Sequence, residues 1–120
     1  MRHIWEELPE MTAAVRDSHE AVGLKQDHDF MHAVRVAEVA RVVALDEWRD
    51  ERLALLAGIA GLAHDADRIL QQKLGLGRED PADADVAALV KEWLRLTDVT
   101  EEEAETIVQA VLGHTGLNSP

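Results

Sequence analysis

Apolar residues recur at spacings of three and four along most of the chain, and the interruptions divide it into five predicted helices with no internal repeat and no low-complexity tract. The first is expected from about Ile4 to Val22, with Pro9 near its start and Gly23 just past its end as a C-terminal stop. The second begins near Asp27, a good N-cap, and lines up Phe30, Ala33, Val34, Ala37, Ala40, Val43 and Leu45 as one apolar stripe. The third, Glu51 to about Asp65, is apolar or glycine on every side from Leu53 to Ala63. Such a helix is stable only when neighbours cover it all round, which makes it the central one. A looser stretch with Gly75 and Gly77 leads to Asp80-Pro81, the pattern of an N-cap followed by proline at the first helical position, and a fourth helix over about Ala82 to Leu96. The fifth opens with the capping-box pattern Thr100-Glu101-Glu102-Glu103 and carries Ala104, Ile107, Val108, Val111 and Leu112 toward His114. The expectation is an all-α fold: residues 1–120 as a single helical domain.

Composition agrees with helices. Apolar residues are 47% of the chain and aromatics only 3%, so Ala, Leu and Val must fill the interior. Trp5, Trp48 and Trp93 are expected in the core or lining a groove, Met11 and Met31 in packing roles, and His3 and His19 at the surface. With no cysteine, disulfides, thiolate metal sites and cysteine nucleophiles are excluded, any metal must be held by His and carboxylate, and a cytoplasmic location is expected. The opening Met1-Arg2-His3-Ile4-Trp5-Glu6-Glu7 is too charged for a signal peptide, and the longest apolar run, 11 residues, is short of the roughly 20 needed to cross a bilayer. No membrane association is therefore expected. The net charge is −12, and residues 79–105 hold ten acidic groups against Lys91 and Arg95. That field repels nucleic-acid backbones, so no stable DNA or RNA complex is expected.

Two clusters can carry chemistry. The apolar helix ends in Leu62-Ala63-His64-Asp65-Ala66-Asp67, where an imidazole and a carboxylate beside an apolar run carry a desolvation cost that a metal or partner group offsets. Alone, the pair also fits a helix end with a solvated carboxylate. The second helix opens with His28-Asp29-Phe30-Met31-His32-Ala33-Val34-Arg35-Val36, in which His28 and His32 stand at i and i+4 while Asp29, His32 and Arg35 follow at threes. Imidazoles and carboxylates together suit a divalent first-row metal, and Arg35 can pair with a phosphate or orient a carboxylate. A capped helix start with a hydrogen-bonded histidine remains the plainer reading of that segment.

The upstream motif, the apolar helix ending in His64-Asp65, and then Asp67 resemble the HD superfamily of metal-dependent phosphohydrolases. More narrowly they resemble small bacterial hydrolases with a His-Asp-x-x-His-x-x-Arg-Val motif ahead of the doublet. The likeness extends from about Asp27 to His114 and includes Lys91-Glu92-Trp93-Leu94. It implies a metal site between the second and third helices with His32, His64 and Asp65 as ligands, Asp65 also bridging or orienting the attacking water. It places His28 and Asp29 behind the ligands or on the substrate side, has Arg35 fix the cluster or contact a phosphate, and makes His114 a polar neighbour of the pocket. Arg68 and Lys73 are the other basic groups near the motifs. The implied reaction is hydrolysis of a small phosphate ester, nucleotides foremost, by attack of metal-bound water on phosphorus. The implied cofactor is one or two divalent ions among manganese, iron, magnesium, cobalt, nickel and zinc.

The family's ligand set closes with an aspartate on a later helix, yet no acidic residue follows Glu105. The expectation is a chain truncated before that ligand, or a fourth donor from Asp67, water or a partner chain, with monomer and dimer both open. Two other classes compete: a non-catalytic HD-like domain that binds metal or nucleotide for regulation, and a plain helical interaction module, which leaves the histidines unexplained.

Overall fold

The computed structural model describes residues 2–24 and 29–113, and within them the chain forms seven α-helices: α1 (Ile4–Glu7), α2 (Pro9–Val22), α3 (Phe30–Trp48), α4 (Glu51–Leu62), α5 (Ala66–Lys73), α6 (Asp83–Leu94) and α7 (Glu101–Leu112). The all-α expectation holds, and the helix count differs for local reasons. The first predicted helix is two, because Leu8 leaves helical geometry at φ −131° and ψ 63°. Proline disfavours the helical region for the residue before it and opens its own helix at the first position. Leu8 thereby turns into the core beside Ile4 and Met11.

The expected N-cap Asp27 lies outside the described residues; Asp29 caps α3, its carboxylate accepting from the His32 N–H at 2.8 Å. α3 ends on Arg49 in the left-handed region, φ 52°. The very next residue, Asp50, caps α4 by accepting from the Leu53 N–H at 3.0 Å. So tight a connection folds α3 and α4 into an antiparallel hairpin. Two glycines let the hairpin close: a Cβ on Gly61 would stand 3.0 Å from the Ala37 Cα, and one on Gly58 would stand 2.4 Å from the Arg41 Cγ. The central helix is α4, as its unbroken apolar run demands, with every residue from Leu56 to Leu62 buried.

α4 stops at Leu62, short of the expected Asp65, and the stretch read as loose contains α5, which buries only Ala66 and Ile69. With so few apolar positions in eight residues, the period is invisible in the sequence. α6 starts at Asp83 with Ala82 as N-cap, two residues beyond the expected Asp80-Pro81 start, and its acidic first turn of Asp83 and Asp85 suits the positive end of the helix dipole. α7 begins as predicted, with Thr100 and Glu103 in a reciprocal capping box. Some packing expectations fail. Trp5, Trp48 and Met31 are exposed, and Val43 faces solvent although it continues the α3 stripe, because α4 covers the face marked by Ala33, Ala37, Arg41 and Ala44 instead. His19, expected at the surface, is buried and meets the Phe30 ring edge-on.

Candidate metal centre

The α3–α4 hairpin brings the start of α3 beside the end of α4. His32 sits in the first turn of α3, held there by the Asp29 cap, and His64 and Asp65 occupy the turn between α4 and α5. One donor atom each from His32, His64 and Asp65 lies within 4.8 Å of the others. The two imidazoles meet edge to face with centroids 5.6 Å apart. The Asp65 side chain is buried and the two histidines half-buried, so the cluster opens to solvent on its imidazole side.

The tautomer of His64 decides what this arrangement can do. Its Nδ1 lies 2.6 Å from the Gly61 carbonyl oxygen, which can only accept, so Nδ1 carries the proton and donates. In the neutral ring Nε2 then presents a lone pair, and it lies 3.3 Å from Oδ2 of Asp65. Two electron-rich atoms at that separation repel unless a proton or a cation lies between them. Imidazoles with the second nitrogen tied to a carbonyl, next to a carboxylate, are the donor set of a divalent metal site, so the residues present fit such an ion. Gly61 thus serves twice, by its missing side chain at the α3 contact and by its carbonyl at His64. Nothing in the sequence marks that second role.

The other sequence-identified residues fall around this triad at different distances. Asp29 acts through the backbone, as the α3 cap. Arg35 is exposed one turn along α3 from His32, with no hydrogen bond or ion pair among the described residues. Asp67 accepts from the Arg68 N–H at 2.8 Å, and the Arg68 side chain is exposed. Lys73 ends α5, about 12 Å along the helix from Asp65 at 1.5 Å per residue, where it lines a depression with Ser18, Val22, Leu70 and Leu89. His28 and His114 lie outside the described residues.

Sequence reasoning overlooked a second polar cluster in the hairpin. Arg41, only 2% exposed, runs over Gly58 and reaches Glu7 on α1 at 2.6 Å and Glu38 at 3.3 Å. The arginine reads as one of several on α3, and only its place opposite a glycine 17 residues later marks it as buried.

Among known proteins, the family model described as HD domain matches residues 29–119. No curated protein and no solved structure matches the chain.

Proposed function

This chain belongs to the HD domain family, and on that premise we propose that it is a metal-dependent phosphohydrolase in which His32, His64 and Asp65 hold a divalent ion beside a small phosphate ester, with nucleotides the first class to try. The observation that carries the reading is the convergence of one donor atom each from His32, His64 and Asp65 within 4.8 Å, with the His64 Nδ1–H committed to Gly61 and its Nε2 turned to the Asp65 carboxylate, where a proton or a divalent ion completes the contact. A bound ion would supply Lewis acidity toward a phosphoryl oxygen and depress the pKa of water from about 16 toward 7.

The chain's own residues do the remaining work. Asp29 fixes the backbone at His32, and Gly61 fixes the ring of His64. The buried Asp65 carboxylate contributes a donor and, with its other oxygen, orients a water for attack. Arg35 and Arg68, both exposed and each three residues beyond a triad member in sequence, offset the charge of an incoming phosphate that the general −12 field would repel. Two imidazoles and one carboxylate suit manganese, iron, cobalt, nickel or zinc better than magnesium, which prefers oxygen ligands and retains its waters.

The test is metal analysis and a manganese titration of the wild type beside His64→Ala and His64→Gln, followed by a phosphate-release screen over nucleoside monophosphates and simple esters. The wild type should bind about one ion and gain about 2.7 kcal/mol of stability at a hundredfold excess over Kd, and both variants should lose these gains together with phosphate release. Retention of the ion by folded variants would overturn the ligand assignment, and metal binding without phosphate release from any ester would overturn the hydrolase.

A further inference from the structure

α3 is apolar on two sides. Its inner face packs Ala33, Val34, Ala37 and Ala44 against the core, while Val39, Val42 and Val43 expose 62, 60 and 61% of their area and Met31 exposes 56%. At 100° per residue, Met31, Arg35, Val39, Val42 and Asp46 fall within an arc of about 80°. Single exposed valines are ordinary on a protein surface; a stripe running most of the length of a 19-residue helix is a contact face.

Three observations identify the occupant as a second copy of the chain. Arg35 and Asp46 are exposed, and neither has a hydrogen bond or ion pair among the described residues. The midpoint between them in sequence is also the midpoint between Val39 and Val42. A two-fold axis through that point, with the two α3 helices antiparallel, sets Val39 of each copy opposite Val42 of the other and Arg35 of each opposite Asp46 of the other, so the face is complementary to itself in shape and in charge. The same axis carries Met31 of each copy toward the C-terminal end of the other's α3, where Val42, Leu45, Asp46, Arg49 and Glu51 line an open depression. Finally, α3 holds Arg35 and Arg41 against Glu38, Asp46 and Glu47, a balance of −1 in a chain of −12, so this helix adds little to the repulsion between two copies.

We infer that the protein forms a reversible antiparallel homodimer through the outer face of α3. One helix face buries less than the roughly 800 Å² per partner of a standard stable interface, so association is weak and concentration-dependent. The stripe meets the proposed metal site at its Arg35 end, one turn from His32, while Asp46 lies about 21 Å along α3 from His32 at 1.5 Å per residue, so Val42→Glu and Asp46→Arg probe the dimer away from that site.

Sedimentation equilibrium of the full chain over a micromolar to high-micromolar series tests it. The apparent mass should climb from 13.3 kDa toward twice that value. Val42→Glu should weaken the dimer at least tenfold. Arg35→Asp and Asp46→Arg should each weaken it as well, since each places like charges opposite one another twice, and an equimolar mixture of those two variants should associate again as a heterodimer. A wild type that stays at 13.3 kDa throughout would overturn the proposal, as would a dimer indifferent to all three substitutions or a mixture that does not re-associate.

Discussion

Two polar clusters interrupt the apolar contact between α3 and α4, and they differ in the groups that face their carboxylates. At Arg41, a cation lies between two carboxylates, Glu7 and Glu38, and its aliphatic stem fills the space over Gly58. At His32, His64 and Asp65, a carboxylate faces a ring nitrogen whose partner nitrogen already donates to Gly61. The first cluster holds a permanent cation on its carboxylates; the second sets a titratable ring nitrogen against its carboxylate. Burial alone therefore does not mark a functional group. Arg41 is more buried than any residue of the triad, yet it ties α1 to α3, while the imidazoles proposed as metal ligands are only half-buried.

The largest effect expected from this contrast is in Arg41→Met. Removing the buried cation costs about 3 kcal/mol, because Glu7 and Glu38, 30 and 25% exposed, lose the counterion they share and Glu38 keeps only His3. Urea unfolding should show that loss, and Arg41→Met combined with Glu7→Gln and Glu38→Gln should recover much of it. If Arg41→Met unfolds at the wild-type urea midpoint, the cluster is not structural and the comparison collapses.

Gly58→Ala sharpens the same point at a smaller scale. The new Cβ would meet the Arg41 Cγ at 2.4 Å, too close to the root of that side chain for its tip to relieve. Overpacking of this kind costs about 2 kcal/mol. In an Arg41→Ala background only the Ile4 Cδ1, 3.2 Å from the new Cβ and at the far end of its side chain, has to give, and most of the gain in helix propensity of about 1 kcal/mol from glycine to alanine should emerge instead. A double-mutant cycle measures the difference as a coupling energy; additive effects would show that Gly58 does not make room for Arg41.

At the triad the expectation reverses. Without metal, His64→Ala should change stability by less than about 1 kcal/mol, since the lost bond to Gly61 is partly offset by relief of the contact with Asp65. A metal-free variant several kcal/mol less stable than the wild type, by the same urea measurement, would make the triad as structural as Arg41.

The sequence disclosed these two clusters unequally, for physical reasons. His64 and Asp65 are neighbours in the chain at the end of a run that must be buried, and His32 stands at helical spacing from His28, Asp29 and Arg35 in a motif that the family resemblance singles out, although the cap falls on Asp29 and not on the expected Asp27. Joining the two required the α3–α4 hairpin, which the short break at Arg49-Asp50 and the apolar period together imply. Arg41 had no such local mark, because its burial depends on Gly58 across the helix pair. α5 escaped for want of apolar positions, and the break at Leu8 was written in Pro9 but outweighed by the continuous period around it. His19 reads as polar by type and is buried by tertiary packing.

The smallest effect concerns a third polar contact, which holds the start of α7 to the start of α4. Arg52 donates to both oxygens of Glu103, from Nε at 2.9 Å and Nη2 at 2.7 Å, while Asp98 lies 3.3 Å from Nη1. The hydrogen bonds from Arg52, then the capping contact with Thr100, hold the Glu103 carboxyl down from an ordinary 4.5 to about 2. A carboxyl with a depressed folded pKa stabilises the fold above its unfolded value and loses that contribution as pH falls through the folded one, so the loss here spans pH 4.5 down to about 2. Because Arg52 is well exposed, solvent screening limits the contribution to about 1 kcal/mol or less. Glu103→Gln should therefore cost about that much at neutral pH and nothing near pH 2, where the wild type has lost the same interaction. Urea midpoints of the two proteins that converge as pH falls would support the assignment, and a constant gap down to about pH 2 would show that the charge of Glu103 does not carry its contribution.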